Sequence, residues 1–415
     1  MIKLLCEINR KYFFFTFLII SFLFIKNQNK NKSDIKETLK ENIYCNEKFS
    51  NITEAFNHAK PFLDKCLRNI LIKNQIFNSP ENLRVSTIIP LYNCEKTIQR
   101  AIKSIQNQNI TDLEIILVND NSIDDTLSII EKIQKDDSRI KIINNRKNMG
   151  TLYSRSIGGL SSKGEYIFHL DSDDMFLDED VFSTMINISK KGNFDITAFK
   201  AIASYGKHIL TSRIKVRRFT DHISNKVLFQ PELGLYPLKP GEQYGRYLIN
   251  DNYLWNKCIR TKLYQAALNK IGKERYSRYM IYEEDRMIIY VLFNIAESIK
   301  YLGKFGVLKT ATPGSMTRRK YPSTKFFLCK LYYVDIVIDF TKESYKNKRS
   351  LVYLITYLLK KNKLKEIEKL NDYNKKLFIS CLERVLNDKY ISNKDKKEIR
   401  KKILNFNFLK NYFNF

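Results

Sequence analysis

From Val85 onward, short runs rich in β-branched residues alternate with runs of helical periodicity. The strand-like segments are residues 85–90, 113–118, 140–143, 166–170 and 194–201. The helical segments are residues 96–106 and 126–135, a stretch after Gly150, and residues 181–190. Strands and helices that alternate at this pitch predict an α/β fold, in which helices cover both faces of a mostly parallel sheet.

An acidic motif, Asp171-Ser172-Asp173-Asp174, follows directly on the apolar strand 166–170. Three carboxylates in four positions repel one another unless a cation compensates them, so the motif predicts a site for a hard metal ion. A calcium loop starting at Asp171 is excluded, because Phe176 and Phe182 stand where that loop needs Gly and Glu. A plain helix N-cap stays open as the alternative.

Polar motifs follow three of the predicted strands. They are Tyr92-Asn93, Asn119 to Ser122, and Asp171 to Asp174. The carboxyl ends of parallel strands meet at one edge of an open sheet, where ligands bind. No Gly-rich loop follows the first strand, where Pro90-Leu91-Tyr92-Asn93 stands instead. A conventional dinucleotide site or P-loop is therefore not expected, and a phosphate ligand would be held by metal and side chains.

Composition limits the class of protein. The chain has 415 residues, of which 44% are hydrophobic, and this content excludes wholesale disorder. Its 72 Lys and Arg against 44 Asp and Glu give a net charge of +28. The excess is spread along the chain, so nucleic acid is not expected as the partner. A basic polyanion-binding protein would instead show steeply salt-dependent affinity.

The N-terminus carries an uncharged apolar run at residues 12–25, between Lys11 and Lys26. It is shorter than the roughly 20 residues of a spanning helix and within the range of a secretory signal. The segment is either cleaved or kept as a signal anchor, and the lack of an A-x-A site favours the anchor. Sequons at Asn51, Asn109 and Asn187 permit a lumenal body. We expect a single-pass protein of the Golgi or another secretory-pathway membrane, in contact with the membrane through this segment.

Taken in order, the motifs resemble the signature of glycosyltransferase family 2. The resemblance is strong over residues 84–200 and weaker to about 320, and it implies a GT-A fold with a mixed, mostly parallel sheet. The segments that carry it are residues 88–93, 117–122, 148–150 with Arg155, 164–166 and 171–174. The implied division is an anchor or signal peptide at 1–26, a stem at 27–83, a catalytic domain at 84–320 and a helical basic extension at 321–415.

The resemblance also implies roles for individual residues in nucleotide-sugar binding. Tyr92, beside Pro90, matches an aromatic that packs on the base, and Asp120 matches a carboxylate that accepts from the uracil imide. Arg155 matches an arginine near the diphosphate. A sheet-edge aromatic and a solvent-facing helix arginine are the alternatives for Tyr92 and Arg155.

For the metal, the resemblance makes Asp173 a ligand of Mn²⁺ or Mg²⁺ and places Asp171 near the ribose and a metal-bound water.

For the chemistry, inversion needs a base for the acceptor hydroxyl. By resemblance this base is Asp285, with Glu284 as the fallback, although acidic residues also favour any helix N-terminus. Trp255 is expected either to stack on a sugar ring or to lie in the core. A loop carrying Arg318 and Arg319 is expected to close over the diphosphate.

These expectations combine into an inverting, metal-assisted glycosyltransferase of the hexosyl or N-acetylhexosaminyl type. It would move a sugar from a UDP-linked donor to a hydroxyl of a glycan, protein or lipid acceptor. The alternative is a non-catalytic nucleotide-sugar or glycan-binding module on the same fold.

Overall fold

The structure, a computed structural model, describes residues 85–205, 213–215, 227–229, 253–310, 323–340, 345–360 and 363–413. These residues belong to one unit, Pro80–Phe415. The predicted anchor, the stem and the loop with Arg318 and Arg319 lie outside the described residues. Their roles therefore stay predictions.

A parallel arrangement joins the first four strands. Apart from half-buried Pro90, β1 and β2 are buried along their whole length, as their predominantly apolar sequences indicate. β1 lies in the middle, with β2 on one side and β4 on the other, and Leu91 pairs with Asn119. All four carboxyl ends therefore point to the same edge. The strands are Val85–Leu91 (β1), Leu113–Asn119 (β2), Ile140–Asn144 (β3) and Tyr166–His169 (β4).

Beyond β4 the sheet becomes mixed. The further strands are Met175–Phe176 (β5), Ile196–Tyr205 (β6), Arg213–Lys215 (β7), Val227–Phe229 (β8), Lys257–Arg260 (β9) and Ser298–Thr310 (β10). β9 runs antiparallel between β4 and β6, whereas β10 runs parallel to β6 and antiparallel to β5. The order is β3-β2-β1-β4-β9-β6-β10-β5. The predicted mixed sheet is confirmed.

Helices cover both faces of this sheet, as predicted. Ile98, Ile130 and Phe182 belong to the hydrophobic core on one face. Leu268 and Leu292 belong to the core on the other. The helices of this region are Ile98–Gln106 (α1), Thr126–Asp136 (α2), Thr151–Ser161 (α3), Val181–Gly192 (α4), Thr261–Ile271 (α5), Lys273–Tyr276 (α6) and Glu284–Ile295 (α7).

The C-terminal helices extend the second of these cores. They are Ser323–Phe340 (α8), Tyr345–Leu358 (α9), Leu364–Glu368 (α10), Asp372–Asn387 (α11), Asn393–Ile403 (α12) and Asn407–Tyr412 (α13). Buried Ile336, Leu382 and Ile399 pack in the same cluster as Leu292 of α7. The extension therefore shares its core with the helices that cover the sheet.

A buried carboxylate ties the extension to the segment around α6. Asp335 on α8 is 3% exposed and pairs with Arg275 at 3.0 Å, Arg278 at 2.8 Å and Arg384 at 3.2 Å. Burial opposes ionisation, but Arg278 and Arg275 outweigh it and lower the pKa of Asp335. One ionised aspartate thus joins three parts of the chain.

We predict that Asp335→Asn lowers the free energy of unfolding by about 3 kcal/mol, because it leaves three partly buried arginines without the charge of their buried partner. Asp339→Asn is the matched control, since Asp339 lies one turn further on α8 and is 31% exposed. Its cost is expected below about 1 kcal/mol. Urea denaturation at pH 7 measures both, and equal costs would contradict the assignment.

Candidate active site

The loops after β1 and β2 are held together at the carboxyl edge. Asn93 adopts a left-handed conformation with φ 51°, and its side-chain oxygen accepts from the Ile123 amide at 2.9 Å. Its own amide donates to Ser122 Oγ at 3.1 Å. Tyr92 beside it is 42% exposed. An aromatic face is thus open to solvent at the point where a base was predicted to pack.

Asp120 organises the loop that leads into α3. It is buried, and its Oδ1 accepts from Asn145 Nδ2 at 2.7 Å and from the Met149 amide at 2.8 Å. Its Oδ2 accepts from the Gly150 amide at 2.8 Å. A carboxylate offers about four lone-pair positions, so these three bonds leave about one position for a ligand. The structure therefore gives Asp120 a positioning role that sequence reasoning did not foresee.

Gly150 sets where α3 begins. Its φ is 88°, and a Cβ there would lie 2.9 Å from the Met280 carbonyl oxygen. That same carbonyl accepts from the Leu152 amide at 3.2 Å. Only glycine meets both the backbone angle and the close approach. The glycine in the predicted Asn148-Met149-Gly150 motif thus fixes α3 against the segment before α7.

Arg155 on α3 lies buried between two carboxylates. It is 2% exposed, which makes the solvent-facing alternative wrong. Its Nη2 lies 2.6 Å from Asp171 Oδ1, and its Nε lies 3.1 Å from Asp285 Oδ1. Burial opposes the charge, but Asp285 and Asp171 outweigh it and raise the pKa of Arg155. The cation is therefore permanent and joins the acidic motif to the predicted base.

Lys309 enters the acidic motif from the end of β10. Its Nζ lies 2.8 Å from Asp171 Oδ2 and 2.8 Å from Asp174 Oδ2. Burial would raise the pKa of Asp171, but Lys309 and Arg155 lower it below the ordinary value. Burial raises the pKa of Asp174 to about 7 against the opposing effect of Lys309. The pKa of Asp171 is thus lowered, whereas the pKa of neighbouring Asp174 is raised.

The three aspartates fit a divalent cation. Asp171, Asp173 and Asp174 each offer a carboxylate oxygen, and these atoms lie within 4.8 Å of one another. The turn is fixed from outside, since the Asp173 carbonyl accepts from Arg100 Nη2 at 2.6 Å. The Thr310 hydroxyl donates to the same carbonyl. Hard carboxylate oxygens at this spacing are what Mg²⁺ and Mn²⁺ bind.

The segment Glu283-Glu284-Asp285 forms the start of α7. Glu283 has φ 63°, and its carboxylate pairs with Lys330 of α8 at 2.7 Å and with Arg286 at 2.5 Å. Asp285 faces Arg155, and its Oδ2 accepts from the Leu254 amide at 3.4 Å. The strained cap before Asp285 is thus held by the C-terminal extension.

Both candidate bases have a raised pKa. Burial, and then the neighbouring Asp285, raise the pKa of Glu284 to about 8. Burial raises the pKa of Asp285 as well, against the lowering effect of Arg155. A carboxylate whose proton affinity is raised toward neutral pH is suited to take a proton from a hydroxyl.

Trp255 takes the core alternative of the two that the sequence left open. It is 2% exposed and packs with its ring centroid 4.9 Å from that of Tyr253. Lys309 Nζ lies over its ring at 4.7 Å. The indole therefore packs against Lys309, the lysine that pairs with the acidic motif, and is not available to a sugar.

Sequence reasoning missed Lys309 and Lys330. Each reaches the site from far along the chain, 138 residues from Asp171 and 47 residues from Glu283. The chain is rich in lysine throughout, so no local signal distinguishes these two. Buried His169 was missed as well; it packs on Tyr264, and burial and Arg155 lower its pKa, so it is neutral at pH 7.

Residues 86–238 match the family model described as Glycosyl transferase family 2. This match identifies residues 86–238 as a glycosyltransferase family 2 domain. The acidic motif, Asp120 and Arg155 all lie within the matched range, whereas Asp285 and Lys309 lie beyond it.

Curated relatives of the family 2 domain include proteins of three bacteria. A GalNAc(5)-diNAcBac-PP-undecaprenol beta-1,3-glucosyltransferase of Campylobacter jejuni is 40% identical over 26% of this chain and 35% of its own length. The uncharacterized glycosyltransferase EpsJ of Bacillus subtilis is 29% identical over 61% of this chain and 68% of its own length. A cholesterol galactosyltransferase of Borreliella burgdorferi is 29% identical over 56% of this chain and 62% of its own length. The chain thus spans about a third of the Campylobacter relative's length.

Solved structures share the fold of this chain. Staphylococcus aureus TarS 1-349 in complex with UDP-GlcNAc aligns with a TM-score of 0.53 and 17% identity, over 80% of this chain and 91% of that one. The complex of the same protein with UDP aligns with a TM-score of 0.51 and 18% identity, again over 80% of this chain and 91% of that one. This likeness confirms the predicted GT-A fold. In the described part of the chain, no helix is both long and apolar enough to traverse a bilayer.

We predict that Gly150→Ala lowers the free energy of unfolding of this chain by about 3 kcal/mol. With φ 88° and ψ 165°, Gly150 lies in a backbone region that is essentially confined to glycine and costs an alanine about 1–3 kcal/mol, and the clash with the Met280 backbone adds to it. Gly272→Ala is the matched control, because Gly272 has φ 85° and a Cβ added there would meet no described atom within 4 Å. Thermal and urea unfolding should therefore show a clearly smaller loss for Gly272→Ala, and equal losses would contradict the close approach.

Proposed function

We propose that this chain is an inverting glycosyltransferase that moves a hexose or N-acetylhexosamine from a UDP-linked donor to an acceptor hydroxyl. The observation that carries the proposal is the link made by one buried arginine. Arg155 pairs with Asp171 of the acidic motif at 2.6 Å and with Asp285 at 3.1 Å. A donor-side carboxylate and a candidate base thus both contact a single guanidinium, which supports a donor site and a base that lie close together.

The donor half of the proposal rests on the carboxyl edge of the sheet. Tyr92 offers an exposed ring for the base, and Asp120 keeps about one acceptor position beside it. The ribose and diphosphate would extend from there toward Asp171 and Asp173. UDP as the nucleotide is supported by the shared fold of TarS, which was solved with UDP and with UDP-GlcNAc.

Asp173 and Asp171 would hold Mn²⁺ or Mg²⁺. When bound, such an ion neutralises the charge that develops on the departing nucleoside diphosphate. Arg155 keeps Asp171 ionised and oriented, whereas the backbone of Asp173 is held by Arg100 and Thr310. These contacts fix the side chain of Asp171 and the backbone of Asp173.

Asp285 would take the proton of the acceptor hydroxyl. Its position at the start of α7 is fixed by Arg155 and the Leu254 amide, so the carboxylate is oriented before the acceptor arrives. Glu284 is the fallback, with its pKa raised to about 8. A non-catalytic binding module would have no need for a base held in this way.

Membrane attachment through residues 12–25 belongs to the same proposal. The relatives from Campylobacter and Borreliella are named for an undecaprenol-linked and a cholesterol acceptor, so a lipid acceptor is one of the classes we propose, beside glycan and protein. An anchor would keep the domain at the membrane surface, where such acceptors lie. A secretory-pathway membrane is the location we propose for it.

We expect Asp285→Asn to lower the rate of sugar transfer at least about 100-fold, because an amide cannot accept the proton. UDP binding, measured by calorimetry, should stay unchanged. Glu284→Gln is the matched control and should retain most of the transfer. A result in which Glu284→Gln abolishes transfer and Asp285→Asn does not would assign the base to Glu284.

The same base predicts a pH dependence of transfer. The pKa of Asp285 is raised above 3.8, and the base acts only when it is deprotonated. The rate should therefore fall as the pH falls through this raised value, which lies above that of an ordinary aspartate. A rate profile that stays flat from pH 8 to pH 4 would contradict the assignment.

We predict that Asp173→Asn abolishes the part of UDP binding that depends on Mn²⁺. Calorimetry with saturating Mn²⁺ and with a chelator separates the metal-dependent part from the rest. Asp178→Asn, in the turn after β5, is the control and should bind as the wild type does. Equal metal dependence in wild type and Asp173→Asn would refute Asp173 as a ligand.

A further inference from the structure

Lys309 forms ion pairs with carboxylate oxygens that would also coordinate a divalent ion. Its Nζ lies 2.8 Å from Asp171 Oδ2 and 2.8 Å from Asp174 Oδ2. Both aspartates belong to the group of three whose oxygens lie within 4.8 Å of one another. A metal ion bound to this group and the ammonium of Lys309 would therefore share the same ligands.

The ammonium is built into the site from several sides. Lys309 lies on β10, next to Thr310, whose amide donates to Asp174 Oδ1 at 2.9 Å. Its Nζ lies 4.7 Å from the ring centroid of buried Trp255, at a distance where a cation is attracted to the ring. A strand, a carboxylate pair and an indole thus fix the charge in place.

The side chain is also open to a ligand. Lys309 is 30% exposed and Asp171 is 27% exposed, whereas Asp174 behind them is fully buried. Solvent therefore reaches the side chain of Lys309, whereas it does not reach the carboxylate of Asp174. An anion that enters from the carboxyl edge would meet this ammonium.

Two cations compensate part of the negative charge of the cluster without a metal. Three aspartates face Lys309 and Arg155, and Arg155 is shared with Asp285. A tethered cation raises the free energy of a second cation at the same oxygens, because like charges repel and the carboxylates are already paired. The same cation lowers the free energy of a bound diphosphate.

We propose that Lys309 is a resident cation of the diphosphate site, which competes with divalent metal in the free protein and contacts the diphosphate when the donor binds. This inference rests on the proposed function, since it takes the donor to be a nucleoside diphosphate sugar. It adds to the proposed donor site a residue that binds the leaving group by charge.

The test compares the full chain, purified in detergent, with Lys309→Met. Titration of Mn²⁺ without nucleotide, followed by the electron paramagnetic resonance of the free ion, should show at least about tenfold tighter binding in the variant, or about 1.4 kcal/mol. Calorimetry of UDP in chelator should show at least about tenfold weaker binding in the variant.

Lys304→Met is the matched control. Lys304 lies on the same strand, carries the same charge and pairs with Asp180 at 2.6 Å, outside the cluster. It should leave both affinities at the wild-type values. If Lys309→Met does not fold, as judged by its thermal transition, Lys309→Gln removes the charge and keeps hydrogen-bond donors toward Asp171 and Asp174.

The outcomes separate this inference from the proposed function. An unchanged Mn²⁺ affinity, or an unchanged UDP affinity in chelator, would overturn the role of Lys309. A purely structural lysine would lower the thermal transition and leave the Mn²⁺ affinity unaltered. If the wild type fails to bind UDP even with saturating Mn²⁺, the proposed function fails, whereas the Mn²⁺ titration still decides the competition.

Discussion

The ion pairs of one buried guanidinium hold the candidate site together. Arg155 has almost no exposed surface, so its charge is tolerated only because Asp171 and Asp285 lie within 2.6 Å and 3.1 Å of it. These two carboxylates come from the end of β4 and from the start of α7. The donor side and the acceptor side of the proposed reaction are therefore tied to one side chain.

The position of Arg155 depends in turn on Asp120 and Gly150. Asp120 accepts from the amides of Met149 and Gly150, and Gly150 allows α3 to start against the Met280 backbone. A helix that begins at a fixed residue carries Arg155 to a fixed place. Asp120, which was expected to contact the nucleotide base, thus also fixes the position of Arg155. Arg155 in turn orients Asp171 of the acidic motif.

Local patterns predicted the elements of the parallel half well. β1 was predicted to end at residue 90 and ends at Leu91, and α3 begins at Thr151, directly after the glycine that was expected to precede it. These boundaries follow from runs of β-branched residues and from a glycine that permits a positive φ. Both signals are visible in a short stretch of sequence. The antiparallel entry of β9 between β4 and β6 could not be predicted, because pairing over such separations leaves no local trace.

The sequence by itself determined the alternation of strand and helix, and with it the edge where Tyr92, Asp120 and Asp171 gather. It also determined which carboxylates stand there, since a run of aspartates after a buried strand is a property of adjacent residues. Only the tertiary structure decided which cations compensate them. Lys309 and Lys330 reach the site across 138 and 47 residues, and Coulomb attraction acts through space, whatever the separation along the chain.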